Sequence, residues 1–147
     1  MEKAGITKSK DSKNGKDEPK VQPAEGPPAR KGMKAFKVLG SRFELPDHYE
    51  IIDPVGSGAY GVVVAAKDTH EEADNNMVAI KKIEKAFEHK VFALRTLREL
   101  KIMRLMDHEN VLSIKTILKP EGPDSFDQIY VVSELMETDL SQIVKSN

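Results

Sequence analysis

A glycine-rich loop between two strand-forming segments constrains the fold of this chain more than any other feature. The loop reads Gly-Ser-Gly-Ala-Tyr-Gly from Gly56 to Gly61, and a β-branched valine run follows at residues 62–64. Glycine adopts positive φ angles at little steric cost, so a tight turn alone would explain these glycines. The loop therefore predicts a turn between two strands, with or without a ligand.

Three phosphate-binding patterns contain comparable glycines, and the residues that follow distinguish between them. A dinucleotide-binding fold requires a helix after the third glycine and an acidic residue about 20 positions later. In this chain a strand follows, and Lys81 stands 20 positions beyond Gly61. The Gly-Lys-Ser/Thr of a Walker loop is absent from the sequence. The remaining pattern is strand, glycine loop, strand and then Val-Ala-Ile-Lys, which is the sequence that ends at Lys81.

The hydrophobic pattern changes along the chain from a strand period to a helical period. Five strands are predicted, at residues 49–55, 62–66, 77–83, 111–118 and 128–135. Pro54 has no backbone N–H to donate within a sheet. The first predicted strand must therefore lie at the edge of the sheet or bend at this residue. A helix is predicted at residues 89–106, where good helix formers dominate. A second, short helix is predicted to begin near Thr138 or Asp139, either of which can cap it.

The first 34 residues differ in composition from the rest of the chain. They contain nine basic and five acidic side chains, four of the eight prolines and no aromatic residue. Such a segment buries too little apolar surface to offset its ordering entropy, so we expect residues 1–34 to be a disordered basic, proline-rich tail. Asp11 within its lysine-rich stretch at residues 8–16 and Asp17 directly after it interrupt the run of positive charge, which favours a solvated tail over a nuclear-import or docking signal. Residues 35–48 form a lead-in to the globular part.

The whole-chain composition excludes several classes of function. The 147 residues carry 23 basic and 24 acidic side chains, so nothing indicates direct binding to nucleic acid. The absence of cysteine excludes disulfides, thiolate metal sites and a cysteine nucleophile. The longest apolar run, residues 62–66, is far too short to span a bilayer, and no leader opens the sequence. We therefore expect an intracellular protein without a membrane partner.

Two charged residues give the strongest indication of a nucleotide site. Helical spacing places Glu99 on the same face as Phe92, Thr96 and Met103. A carboxylate in such surroundings requires a cationic partner, and Lys81 on the preceding strand can supply it. Alone, Lys81 would be an ordinary surface lysine. Beside backbone amides that side chains leave uncovered, a lysine on a rigid strand is suited to binding phosphate.

The loop, the lysine and the helical glutamate together resemble the amino-terminal lobe of eukaryotic protein kinases. Four segments are similar to mitogen-activated protein kinases: Tyr49-Glu50-Ile51-Ile52, Gly58-Ala59-Tyr60-Gly61, Arg95-Thr96-Leu97-Arg98-Glu99-Leu100 and Leu135-Met136-Glu137-Thr138-Asp139-Leu140. The tail and the lead-in are most similar to the big, ERK-like branch. The resemblance implies an α+β fold, with a five-stranded antiparallel sheet and one αC-type helix. Residues 49–147 would form the N-lobe and hinge of a kinase domain, without its C-lobe.

Carried over to this sequence, the resemblance implies an ATP site with Lys81 and Glu99 as its catalytic pair. Lys81 would hold the α and β phosphates, and Glu99 would orient it. The other residues implied to contact ATP are Val55, Gly56, Ser57, Gly58, Ala59, Tyr60, Gly61, Val63, Ala79, Ser133, Glu134, Met136 and Asp139. Residues 56–63 would cover the phosphates. Ser133 is at the gatekeeper position and is smaller than usual, which implies a deeper back pocket.

The remaining contacts of ATP are implied to be divided between adenine and ribose. Val55, Val63 and Ala79 would contact the adenine, the backbones of Glu134 and Met136 would hydrogen-bond it, and Asp139 would meet the ribose. On the helix, Arg98 and Arg95 would reach the phosphorylated activation loop.

The resemblance also implies a function: ATP-dependent phosphorylation of protein serine and threonine residues, in cytoplasm and nucleus. The partners would be ATP, an upstream dual-specificity MAP kinase kinase and protein substrates, with Mg²⁺ bound by residues outside this sequence. The chain ends at Asn147, before the catalytic loop, the metal-binding motif and the activation loop, so it should bind ATP weakly and be inactive alone. Two interpretations remain, a fragment of a kinase or a truncated non-catalytic isoform that competes for signalling partners. An end inside a predicted helix favours the fragment.

Overall fold

Two antiparallel sheets and two helices make up the computed structural model, which describes residues 20–58, 61–71, 76–119 and 126–146. The first sheet contains, in spatial order, β1 (Val21–Pro23), β2 (Met33–Val38) and β3 (Ser41–Pro46). The second sheet contains, in spatial order, β4 (Tyr49–Gly58), β5 (Gly61–Asp68), β6 (Met77–Ile83), β8 (Ile129–Glu134) and β7 (Ile114–Ile117). The helices are α1 (Lys90–Leu105) and α2 (Leu140–Lys145).

The second sheet and α1 confirm the predicted α+β architecture of a five-stranded antiparallel sheet with one long helix. Its interior strands β5 and β6 each contain three β-branched residues, and Val64, Val78 and Ile80 are fully buried. The strand β4 lies at the edge of the sheet, and its register shifts on both sides of Pro54. An edge strand with bulges accommodates a residue that has no N–H to donate, as predicted.

The two helices differ in how they are held. The helix α1 has no buried residue; its Leu100 packs against a small cluster formed by Ile83, Ala86, Ile129 and Val131. The short helix α2 begins as predicted, since the Asp139 side chain caps it by accepting a hydrogen bond from the Gln142 N–H at 2.8 Å. No helix within the described ranges has the length and apolar character needed to cross a membrane.

The first sheet corrects the prediction that residues 1–34 are disordered. The strand β1 lies inside that segment and pairs with β2, which itself begins at Met33. The prediction is therefore wrong from residue 20 onward, while residues 1–19 lie outside the described residues. Composition misled here because the apolar surface that stabilises these strands comes from residues far along the chain. The predicted lead-in is most of the β2–β3 hairpin.

One hydrophobic core joins the two sheets. Phe43 and Leu45 of β3 are fully buried in the same cluster as Ile80, Val132 and Tyr130 of the second sheet. The rings of Phe43 and Tyr130 meet edge to face, with centroids 5.9 Å apart. The Tyr130 hydroxyl accepts a hydrogen bond from the Glu44 N–H at 3.1 Å, and burial raises the pKa of Tyr130 to about 12. The first sheet is therefore an integral part of the fold.

Replacing Phe43 with alanine tests whether the first sheet contributes to global stability. We expect Phe43→Ala to lower the free energy of unfolding by about 3–5 kcal/mol, because it leaves a cavity between the sheets. Urea denaturation followed by circular dichroism measures the change. Phe87→Ala is the matched control, since the Phe87 residue is 47% exposed and its removal should cost much less. Equal effects of the two substitutions would contradict a shared core.

Candidate ATP site

Two adjoining cavities lie beside β6, and Lys81 and Glu99 line both of them. The larger has a volume of about 750 Å³ and extends from β4 and β5 to the segment that follows β8. Seven more residues predicted to contact ATP line it: Val55, Val63, Ala79, Ser133, Glu134, Met136 and Asp139. The smaller has a volume of about 520 Å³ and extends beneath Gly58 and Gly61 towards the first turns of α1. The structure thus brings most of the predicted site residues together.

The ion pair between Lys81 and Glu99 lies where the two cavities meet. Lys81 Nζ is 2.6 Å from Glu99 Oε1, the distance of a charge-assisted hydrogen bond. The side chains are 32% and 48% exposed, so the pair contributes little to stability and stays accessible to a ligand. The Lys81 backbone is held from both sides, opposite Val63 of β5 and Val131 of β8. A rigid central strand and a carboxylate together fix the direction of the ammonium group.

The glycines of the loop serve different steric purposes. Nothing lies within 4 Å of the position of a side-chain carbon at Gly56 or Gly58, so their backbone is open to a ligand. Gly61 has a φ of +124°, and a side-chain carbon there would overlap the carbonyl oxygen of Lys82. Gly61 is thus required for the packing of the hairpin on β6. Ala59 and Tyr60, two further predicted contacts, lie outside the described residues, and Ser57 is an exposed residue of β4.

The far end of the larger cavity is formed by β8 and the residues after it. Ser133 is buried and stands opposite Ala79 in the ladder between β6 and β8. Its hydroxyl donates a hydrogen bond to the Glu134 carbonyl at 3.3 Å. A serine side chain occupies less of the cavity wall than a larger residue would. Ser133, Ala79 and Val63 line this end of the cavity with small or branched side chains, which leave room for a flat apolar ring.

Two predicted roles are modified by the local geometry. The Asp139 carboxylate lines the larger cavity but is already engaged with Gln142 as the cap of α2, so a ribose hydroxyl would share it with that helix. On α1, Arg95 lines the smaller cavity, whereas Arg98 is exposed and is not among the residues that line either cavity. The predicted contact of both arginines with an activation loop stays a prediction.

Sequence reasoning overlooked Lys82, which is buried immediately beside the site. It follows Lys81 in the chain, yet its side chain is only 5% exposed and contacts the first sheet. The alternation of side chains along a strand is the one signal that could have separated the two lysines. The alternation places the two lysine side chains on opposite faces of β6, but it does not show which face the first sheet will cover.

The comparisons with known proteins agree with this geometry. Residues 49–147 match the sequence profile described as the protein kinase domain, and the chain therefore belongs to the protein kinase family. Within that family, mitogen-activated protein kinases are among its similar relatives, as the resemblance implied. Mitogen-activated protein kinase 5 of Arabidopsis thaliana is 51% identical over 115 residues, and mitogen-activated protein kinase 6 of Oryza sativa subsp. japonica is 49% identical over 113.

A third relative is the extracellular signal-regulated kinase 1 of Dictyostelium discoideum, which is 49% identical over 112 residues. Each of the three alignments covers 76% of this chain. The chain spans 29% of the length of the two plant relatives and 21% of the third. The similarity thus concerns less than a third of each of these longer proteins.

Replacing Gly61 with alanine tests the requirement for glycine at the end of the loop. We expect Gly61→Ala to destabilise the fold by at least about 1–3 kcal/mol, because the new methyl group meets the backbone of β6 at an unfavourable φ. Gly56→Ala is the matched control, since its methyl group would enter open space. Urea denaturation of both variants provides the measurement. A stability of Gly61→Ala equal to that of the control would refute the contact.

Proposed function

We propose that this chain is the ATP-binding amino-terminal lobe of a protein serine/threonine kinase of the mitogen-activated protein kinase family. The observation that carries the proposal is the 2.6 Å ion pair between Lys81 and Glu99, at the junction of two cavities beneath a glycine loop. Lys81 lies on a rigid central strand, has a carboxylate partner and is close to open backbone, and all three features favour a phosphate ligand. The match to the protein kinase domain supports the same assignment.

The residues that line the cavities fit both the phosphate end and the adenine end of ATP. Lys81 would neutralise the α and β phosphates while Glu99 keeps its ammonium group aimed at them. The backbone around Gly56 and Gly58, uncovered by side chains, can approach the phosphate oxygens closely. Val63 and Ala79 would enclose the adenine ring. The cavity of about 750 Å³ is in the range of pockets that bind molecules of this size.

Phosphoryl transfer requires more than this lobe supplies. Mg²⁺ neutralises the charge on the transferred phosphoryl group when it is bound, and a base accepts the proton of the hydroxyl group. We assign the transfer step to a longer protein, because the chain spans only 29% of the length of its plant relatives. Within it, the lobe would bind and orient ATP.

The biological setting follows from the resemblance and is part of the proposal. A mitogen-activated protein kinase would act on protein substrates after an upstream dual-specificity kinase has activated it, in cytoplasm and nucleus. The names of the plant and Dictyostelium relatives support the kinase family, and the upstream kinase and the location rest on the resemblance alone. The alternative, a non-catalytic chain that competes for signalling partners, predicts the same fold but no kinase activity in any gene product that contains residues 1–147.

Replacing Lys81 tests the assignment of the site to ATP. Isothermal titration of the chain should show weak but measurable ATP binding, and Lys81→Met should reduce the affinity at least about tenfold by removing a charge-assisted contact. Lys67→Met is the matched control, because Lys67 is an exposed lysine of the neighbouring strand β5. Absence of binding by the unmodified chain, or equal affinities of the two variants, would contradict the ATP site. A kinase assay of a longer gene product then separates the enzyme from the non-catalytic alternative.

The small residue at position 133 predicts tolerance of enlarged nucleotides. ATP analogues with a bulky substituent on the adenine amino group should compete for the site at least about tenfold better in the unmodified protein than in Ser133→Leu. The reason is that leucine would fill the space beside Ala79 that serine leaves open. Competition against a fluorescent nucleotide measures both affinities, and Ser133→Thr is the control of intermediate size. Equal competition by the bulky analogues in all three proteins would show that the deeper back pocket does not exist.

A further inference from the structure

We propose that Lys82 is a positioning residue for the nucleotide site, and that the β1–β3 sheet acts on that site through it. The proposal rests on the assignment of Lys81 to ATP given above. Lys82 contacts three parts of the structure, and it uses a different chemical group for each of them. Its side chain contacts the first sheet, its carbonyl group meets the end of the glycine loop, and its amide joins it to Lys81.

The side chain of Lys82 is fully satisfied although it is buried. Its ammonium group donates hydrogen bonds to the Arg42 carbonyl at 2.6 Å, to Glu84 Oε1 at 2.7 Å and to Ser41 Oγ at 3.2 Å. Three acceptors match the three donors of an ammonium group. The Ser41 hydroxyl also donates to Glu84 Oε1 at 2.6 Å, which closes the cluster. The hydrogen bonds from Lys82 and Ser41 hold the pKa of the Glu84 carboxyl below its usual value.

Aromatic rings add a second set of contacts to the same ammonium group. Lys82 Nζ lies 5.7 Å from the centroid of the Phe43 ring and 6.0 Å from that of Tyr130. Phe43 belongs to the first sheet and Tyr130 to the second, so the cation is held between them. A buried charge that loses its partners is strongly unfavourable. Lys82 therefore ties the β2–β3 hairpin to one fixed point on β6.

The backbone of Lys82 transmits this constraint to the nucleotide site. Gly61 packs so closely on the Lys82 carbonyl that no side chain fits between them. On the other side, Lys81 extends into the cavities from the adjacent position, on the opposite face of the strand. A rotation of β6 at residues 81–82 would shift the glycine loop and move Lys81 Nζ away from Glu99. The cluster around Lys82 opposes that rotation.

Half of the residues around Lys82 and its ammonium group lie outside the part of the chain that matches the protein kinase domain. Ser41, Arg42 and Phe43 precede residue 49, where the match to the protein kinase domain begins. The proposal thus predicts that a segment before the kinase domain influences nucleotide binding without touching the nucleotide. A purely structural role for Lys82 predicts a loss of stability alone.

The test uses the whole chain and the variant Lys82→Met, whose unbranched side chain is one heavy atom shorter than that of lysine and should pack against the two rings. Glu84 is half-exposed and stays solvated when the cation is removed. We expect the affinity for ATP to fall about tenfold, measured at a temperature where the variant is fully folded, because Lys81 is no longer held in position. Lys82→Arg retains the cation and should recover part of the affinity.

A second readout needs no nucleotide. In the unmodified chain, the ion pair with Glu99 should slow proton exchange of the Lys81 ammonium group enough to give a resolved nitrogen–proton signal by NMR. Lys82→Met should lose or broaden that signal. Failure of the unmodified chain to bind ATP would overturn the proposed function, whereas an unchanged Lys81 signal in Lys82→Met would overturn the positioning role.

Two further variants separate positioning from stability. Leu45→Val leaves a small cavity in the same core without removing a group that contacts the Lys82 ammonium, so it should lower the melting temperature without changing the ATP affinity or the Lys81 signal. Lys67→Met should change none of the three. Should Lys82→Met fail to fold, Ser41→Ala weakens the cluster from the side of the first sheet and is read by the same two measurements. A lower melting temperature with unchanged affinity and signal in the Lys82 or Ser41 variant refutes the proposal.

Discussion

The burial of one ammonium group determines how the parts of this structure fit together. A charge removed from water has to find an acceptor for each of its protons, and Lys82 finds them on β3 and on Glu84. The hairpin of the first sheet must therefore dock at one place and in one orientation. That docking completes the hydrophobic core around Phe43 and covers a face of the second sheet that would otherwise be exposed. The opposite face of β6 stays open for the cavities.

The two faces of the second sheet therefore have different roles. On the covered face, aromatic and aliphatic side chains pack around a satisfied charge and supply rigidity. On the open face, a half-exposed ion pair contributes little to stability and leaves Lys81 accessible. The rigid face makes a precise geometry possible on the open one. The helix α1, which has no buried residue, depends on this support more than it contributes to it.

The sequence was sufficient to predict features that local pattern or motif spacing encodes. The β-branched runs of β5 and β6 and the helical period of α1 are local, and each element formed within a few residues of its predicted bounds. The pairing of Lys81 with Glu99 was predicted from the order of loop, strand and helix and from an apolar setting for Glu99; the pair is present, but the Glu99 side chain is half-exposed, so that setting was wrong. The capping of α2 by Asp139 was predicted as one of two options by side-chain chemistry alone.

The features that were missed depend on contacts between distant parts of the chain. The strand β1 has a polar, proline-rich neighbourhood, and only its docking beside β2 and against the core makes it a strand. Lys82 is the same residue type as its neighbour, and nothing local indicates that one lysine is buried and the other is accessible. The difference appears only when β3 and Tyr130, 40 positions before and 48 positions after Lys82, are brought together around it.

The two adjacent lysines also mark the alignment of β6 within its sheet. If the strand shifted by one residue in one direction, Lys82 would enter the cavity and Ile83 would take its place beside the Ser41 hydroxyl and the Arg42 carbonyl. A shift in the other direction would place Ile80 opposite Glu99. The first error leaves the acceptors on β3 without a donor, the second leaves Glu99 without its cation, and both move a buried isoleucine. Two identical neighbouring residues with different partners thus make a shift of β6 by one residue unfavourable in either direction.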